Sequence, residues 1–152
     1  MASSGSNVSD KLARARAAVD PGYTPSDAEE YMGAAQLDYF RVLLLDWKKS
    51  IHDAAGQTLQ GLQNGPMREP DLNDRASSET DWGIELRTRD RQRKLIAKID
   101  AALRRIDEGE YGYCEVTGDP IGLRRLVARP VATMTVEAQE AHERKEKISR
   151  DD

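Results

Sequence analysis

From Leu37 onward the chain repeats a seam of inward-facing positions at Leu37, Phe40, Leu44, Trp47, Ile51, Ala54, Thr58 and Leu62. The spacing alternates between three and four residues, which is the heptad pattern of a helix packed against another helix. Asp38, Arg41, Asp46, Lys48 and Lys49 fall off that seam. A helix of about 30 residues at 1.5 Å per residue reaches roughly 45 Å. The pattern stops at "NGPMREPDLND", where Asn, Gly and two Pro cluster, a breaker-rich stretch. A second helix is predicted from about Ser77 to Asp107, with Ile84, Leu95, Ile99, Ala102 or Leu103, and Ile106 as its seam and Gly109 as its stop. Two helices of similar length joined by a short connection fold back on each other.

The predicted fold class is therefore mainly α: a long antiparallel coiled-coil hairpin over residues 33–108, its tip near 64–76. On either side the pattern changes. Residues 1–32 open with Ser and Gly and hold Pro21, Gly22 and Pro25, so they read as an N-terminal arm, partly disordered, that joins the base. Residues 109–134 carry four Gly and two Pro and read as a compact, turn-rich knob. Residues 135–152 are strong helix formers, with Thr135 as N-cap, and make a C-terminal helix.

Composition sharpens this picture. The 152 residues are 38% hydrophobic and 33% charged, with one Phe, two Trp and five Tyr; that is lean for a globule and typical of long solvated helices. A net charge of −4 argues against coating nucleic acid or an anionic membrane, so neither direct sequence-specific DNA binding nor membrane binding is expected. The longest apolar run is "VLLL" at 42–45, far short of the roughly 20 residues of a bilayer span. The N-terminal "MASSGSNVSD" lacks a basic start and an apolar signal core. With a single cysteine there is no internal disulfide, and a cytoplasmic monomer is expected.

That cysteine sits in "YGYCEVTGDP", Tyr111–Pro120, a loop shaped like half of a zinc knuckle. Structural zinc takes four Cys or His ligands, usually in two pairs. The partner of Cys114 in a Cys-x-x-Cys pair falls on Thr117, and a second pair on Thr135 and Ala138. A hydroxyl is a poor ligand and a methyl group none. Cys114 with His142 supplies two ligands, too few. Zinc is not expected, and Cys114 reads as a lone remnant: a half-buried small hydrophobe, or a redox-reactive thiol. The knob is then held by apolar contacts among Tyr111, Tyr113, Val116, Ile121, Leu123, Leu126, Val127, Val131 and Met134.

Together "YMGAAQLDYFR", "DLNDRAS", "ELRTRDRQRKLIAKID" and "EYGYCEVTGDPIGLRRLVARP", with the closing charged helix, resemble the DksA/TraR family of RNA polymerase-binding transcription factors. The chain is similar to the variant of that family that keeps one of four zinc-ligating cysteines. The resemblance implies a non-enzymatic regulator whose hairpin tip enters the polymerase secondary channel and shifts open-complex stability and initiation. The family tip motif, Asp-x-x-Asp-x-Ala, matches Asp71, Asp74 and Ala76. A guanosine tetraphosphate (ppGpp) site at the polymerase interface is matched by Leu95, Lys98 and Arg129, with ppGpp as co-regulator and no stably bound cofactor. A further basic position of that site falls on the uncharged Gln139. Polymerase docking is assigned to Arg87, Arg91 and Arg125.

The residues themselves leave alternatives open. Asp71 and Asp74 after Pro70 also suit a helix N-terminus. Arg87–Arg105 holds eight Arg or Lys against two Asp, which suits an acidic channel or a phosphate but also a solvated helix face with pairs such as Asp90–Lys94. A helical-hairpin scaffold or chaperone-like interaction protein is the competing class; it needs an apolar tip, and "NGPMREPDLNDRA" offers Met67 and Leu72 only. No nucleophile–base pair, phosphate-binding Gly loop or metal ligand set marks an enzyme.

Overall fold

A computed structural model describes residues 22–64 and 72–151, with side chains over 22–56 and 79–150. The described residues form four helices: α1 Ala34–Asn64, α2 Leu72–Glu108, α3 Leu123–Ala128 and α4 Val136–Asp151. They contain no strand beyond a single antiparallel bridge, Tyr113 to Pro120. None of these helices is long and apolar enough to cross a membrane. α2 starts ahead of the Ser77 expected from the periodicity, because "LNDRASSET" contains neither Gly nor Pro and holds several good helix formers.

The chain divides into two compact units, and both long helices contribute to each. One unit joins the residues up to Asp46 with those from Ile99 onward; the other is Trp47–Lys98. In the first, Phe40, Leu44 and Leu45 of α1 are buried, as are Ile99, Ala102 and Ile106 of α2. Each such side chain contributes roughly 1.5–3 kcal/mol for the larger ones. Arg41 of α1 pairs with Asp107 near the end of α2 at 2.6 Å, so the first turns of α1 lie beside the last turns of α2. The second unit is different. Ile51 is its one buried residue among those described.

The seam is reached with corrections. Phe40, Leu44, Ile51, Ile99, Ala102 and Ile106 are buried, while Leu37 and Trp47 are half-buried. Ala54 is exposed, and Ile84 is 52% exposed, so among the described residues the stripe is interrupted at both positions. Thr58 and Leu62 have side chains outside the described residues.

α2 ends as expected at Gly109, whose φ of +76° favours glycine. The Gly109 N–H donates to the Ile106 carbonyl at 3.2 Å and the Glu110 N–H to the Arg105 carbonyl at 2.8 Å. That pair of bonds closes the helix by a Schellman turn. At the other side of the knob Thr135 caps α4: its hydroxyl accepts the Ala138 N–H at 3.2 Å.

Candidate functional site

The knob is built around side chains aimed at backbone carbonyls. Arg105 donates to the carbonyls of Glu110 at 3.1 Å and Tyr113 at 2.8 Å. The buried Tyr111 hydroxyl donates to the Pro130 carbonyl at 2.7 Å. From the N-terminal arm, Tyr31 donates to the Gly112 carbonyl at 2.6 Å and accepts the Gly122 N–H at 2.9 Å. Burial holds the Tyr31 and Tyr111 phenols above their ordinary range, so both stay protonated and able to donate. Phe40 and Tyr111 meet at a tilt of 48° with ring centroids 5.5 Å apart, and Tyr31 meets Tyr113 edge-on at 5.6 Å. Apolar contact alone was expected here, and it is partly misplaced. Val116 and Val127 are exposed, while Cys114 and Ala132 join Ile121, Leu123 and Leu126 in the core.

The arm is pinned by one buried amide. Gln36 accepts the Met32 N–H at 2.8 Å and donates to the Ser26 carbonyl at 3.1 Å. Met32 takes a left-handed backbone, φ +54°, unusual for a residue with a side chain. Its side chain lies where a Cβ on Gly112 would be 2.6 Å from Met32 Cγ.

Cys114 is buried and free. Burial raises its thiol pKa, but the Thr117 hydroxyl and the N–H groups of Thr117, Thr135 and Val116 all hydrogen-bond the sulfur and together bring it down to about 7. Thus two of the four positions that would carry zinc ligands, Thr117 and Thr135, instead act on the sulfur of a third, Cys114. Among the described residues no group of three His, Cys, Asp or Glu could hold a metal ion. His142 pairs with Glu146 at 3.1 Å. A four-ligand zinc does not fit these residues.

The assigned site residues are distributed as follows. Asp71 lies outside the described residues, and the side chains of Asp74 and Ala76, in the first turns of α2, do too. Arg87, Arg91 and Lys98 are exposed on α2, and Leu95 is half-buried one turn before Lys98. Arg129, exposed, follows α3 as its C-cap. Arg125 is half-buried; its Nε donates to the Met134 carbonyl at 2.9 Å, so it braces the knob and turns only part of its guanidinium outward. Asp90 holds both Arg93, at 3.3 Å, and the expected Lys94, at 3.1 Å.

Sequence reasoning missed a groove within the second unit. It has a volume of about 390 Å³ and lies between α1 at His52 and Ala55 and α2 at Leu86, Arg89, Gln92, Arg93 and Ile96. The signal was available: those α2 positions recur at three- and four-residue spacing, with Arg and Gln where a seam would carry Leu.

Comparison with known proteins places the chain. Residues 36–106 match the family model of the DnaK suppressor protein DksA, N-terminal domain, and residues 109–144 that of the prokaryotic dksA/traR C4-type zinc finger. The chain is 60% identical over 130 residues to the RNA polymerase-binding transcription factor DksA of Caulobacter vibrioides, covering 86% of this chain and 92% of that one. It is 41% identical over 131 residues to the protein of that name from Escherichia coli K12, covering 86% of each. The solved structure of transcription factor DksA2 from Pseudomonas aeruginosa matches with a TM-score of 0.70 at 42% identity, over 82% of this chain and 94% of that one. With residues 36–106 and 109–144 both matched by family models and relatives at this identity, the chain belongs to the DksA family.

Proposed function

We propose that this chain is a transcription factor that binds RNA polymerase through the secondary channel and, with ppGpp, modulates open-complex stability and initiation. The observation that carries the reading is the 60% identity, over nearly the whole length of both proteins, to an RNA polymerase-binding transcription factor. The sequence "DLNDRA" supports the tip role of Asp71, Asp74 and Ala76. The ppGpp contact is assigned to Leu95, Lys98 and Arg129: an ammonium is a point charge for phosphate, and a guanidinium can grip it with two parallel bonds. Arg87, Arg91 and the outward part of Arg125 dock against the polymerase. The protein works as a cytoplasmic monomer, without zinc and without catalysing a reaction of its own.

The test is transcription from a ribosomal RNA promoter by purified polymerase, with and without ppGpp, using the wild-type chain and Asp74→Asn. The wild type inhibits, more strongly with ppGpp. Asp74→Asn retains binding and loses inhibition. Equal inhibition by the two proteins refutes the tip assignment, and absence of binding by the wild type refutes the function.

A further inference from the structure

The cationic stretch of α2 has two faces, and the assigned residues use only one. At 100° per residue, Arg87, Arg91 and Lys98 share a side of the helix, while Trp82, Leu86, Arg89, Arg93 and Ile96 centre roughly 160° away. On that second side lies the groove. Its lining combines the apolar Ala55, Leu86 and Ile96 with the cationic Arg89 and Arg93 and the polar His52 and Gln92.

Three observations indicate that something is meant to lie there. The Gln92 side-chain oxygen is buried and has no hydrogen-bond partner among the described residues, and a buried acceptor left unpaired is costly. Arg93 is held by Asp90, but Arg89 has no ion-pair partner among the described residues. On the groove's side of α2, Trp82 and Leu86, one turn apart, are 40% and 56% exposed. Such a pair, with an exposed Trp, is characteristic of protein contacts rather than of a site for a small anion.

We infer that this groove is a second docking surface on α2, and that it takes an acidic segment of RNA polymerase carrying an apolar side chain. The inference rests on the polymerase reading above. The apolar side chain would pack against Leu86 and Ile96, a carboxylate would pair with Arg89, and a backbone N–H would reach the Gln92 oxygen. The chain's own N-terminal segment is a poor occupant, because residues 1–21 hold Lys11, Arg14 and Arg16 against Asp10 and Asp20 and are not acidic.

The experiment places the photo-crosslinking residue p-benzoylphenylalanine at Ala55 in one protein and at Arg87 in another, and irradiates each with purified RNA polymerase. Both are expected to crosslink, and the Ala55 adduct maps to a segment in which Asp and Glu outnumber Lys and Arg. Arg89→Glu in the Ala55 protein lowers its yield about tenfold, with helical circular dichroism unchanged; should that charge reversal disturb the helix, Arg89→Gln is read in the same assay. A crosslink from Arg87 with none from Ala55 overturns the second surface and leaves the polymerase reading intact, as does an Ala55 adduct on a segment that is not acidic. An Ala55 yield indifferent to both Arg89 variants also overturns it. Silence at both positions overturns the polymerase reading itself.

Discussion

The Tyr31 hydroxyl donates to the Gly112 carbonyl at 2.6 Å, tying the N-terminal arm to a loop 81 residues further along the chain. The same oxygen accepts the Gly122 N–H at 2.9 Å, and the Gly112 carbonyl also accepts the Ile121 N–H at 2.8 Å. One phenol thus closes a ring of bonds across the loop that a zinc ion would otherwise hold. Tyr31→Phe keeps the ring and its edge-on contact with Tyr113 but leaves the part-buried Gly122 N–H without its acceptor. An unsatisfied buried donor costs about 1–3 kcal/mol. Urea denaturation of the variant should show a loss in that range with an unchanged slope. A loss within the error of the measurement would show that water replaces the phenol without penalty.

Gly112 is the more sensitive partner. Its φ of +92° is one that side chains rarely adopt, and an added Cβ would stand 2.6 Å from Met32 Cγ and 2.8 Å from its sulfur. The sulfur end of methionine is flexible, but Met32 is buried and its backbone is fixed by Gln36. Gly112→Ala combines backbone strain of about 1–3 kcal/mol with this overlap, so it should destabilise more than Tyr31→Phe. It should also speed proteolysis of the arm near Tyr23–Met32, read by limited digestion and mass spectrometry. A variant as stable as Tyr31→Phe would mean that the arm moves aside at little cost.

Cys114 predicts a pH dependence of definite sign. Hydrogen bonds from Thr117, Thr135 and Val116 hold the folded-state thiol at about 7, below the ordinary value of 9.0. The ionised form is therefore favoured in the folded protein. Its contribution to stability is full above pH 9 and is lost as pH falls through about 7. The difference in Tm between wild type and Cys114→Ala should widen from pH 6 to pH 9. A difference that stays flat, or narrows, contradicts the hydrogen-bonded thiolate. A metal chelator should leave both melting curves unchanged, since the remaining positions do not form a zinc site.

How much of this was legible in the sequence depends on what kind of interaction was involved. Helix packing was largely legible, because burial repeats: Phe40, Leu44 and Ile51, and then Ile99, Ala102 and Ile106, lie at heptad intervals. The same rule failed at Ala54 and Ile84, both exposed, and among the described residues Ala55, Leu86 and Ile96 border a groove instead. The knob was less legible. Tyr31, Arg105 and Tyr111 hold it by donating to backbone carbonyls, and no side-chain pattern marks which carbonyl will be left free. Thr117 and Thr135 were read as poor metal ligands from their spacing, but spacing could not show that they would act on the Cys114 sulfur.

Gln139 offers a gain-of-function test of the ppGpp assignment. It lies in the first turn of α4, where its side-chain N–H donates to Glu143 Oε1 at 3.0 Å, and it occupies a position that the resemblance makes basic in the family. Lysine there can keep an i,i+4 pairing with Glu143, so Gln139→Lys should fold normally while adding a cation for a phosphate. A hydrogen bond to a charged group contributes about 1.5–3 kcal/mol, so the ppGpp concentration giving half-maximal inhibition should fall by roughly tenfold or more, 1.4 kcal/mol being one factor of ten. Inhibition without ppGpp should not change, because the tip acids are untouched. An unaltered ppGpp response would place the nucleotide away from the start of α4 and would count against a site shared by Lys98, Arg129 and this position.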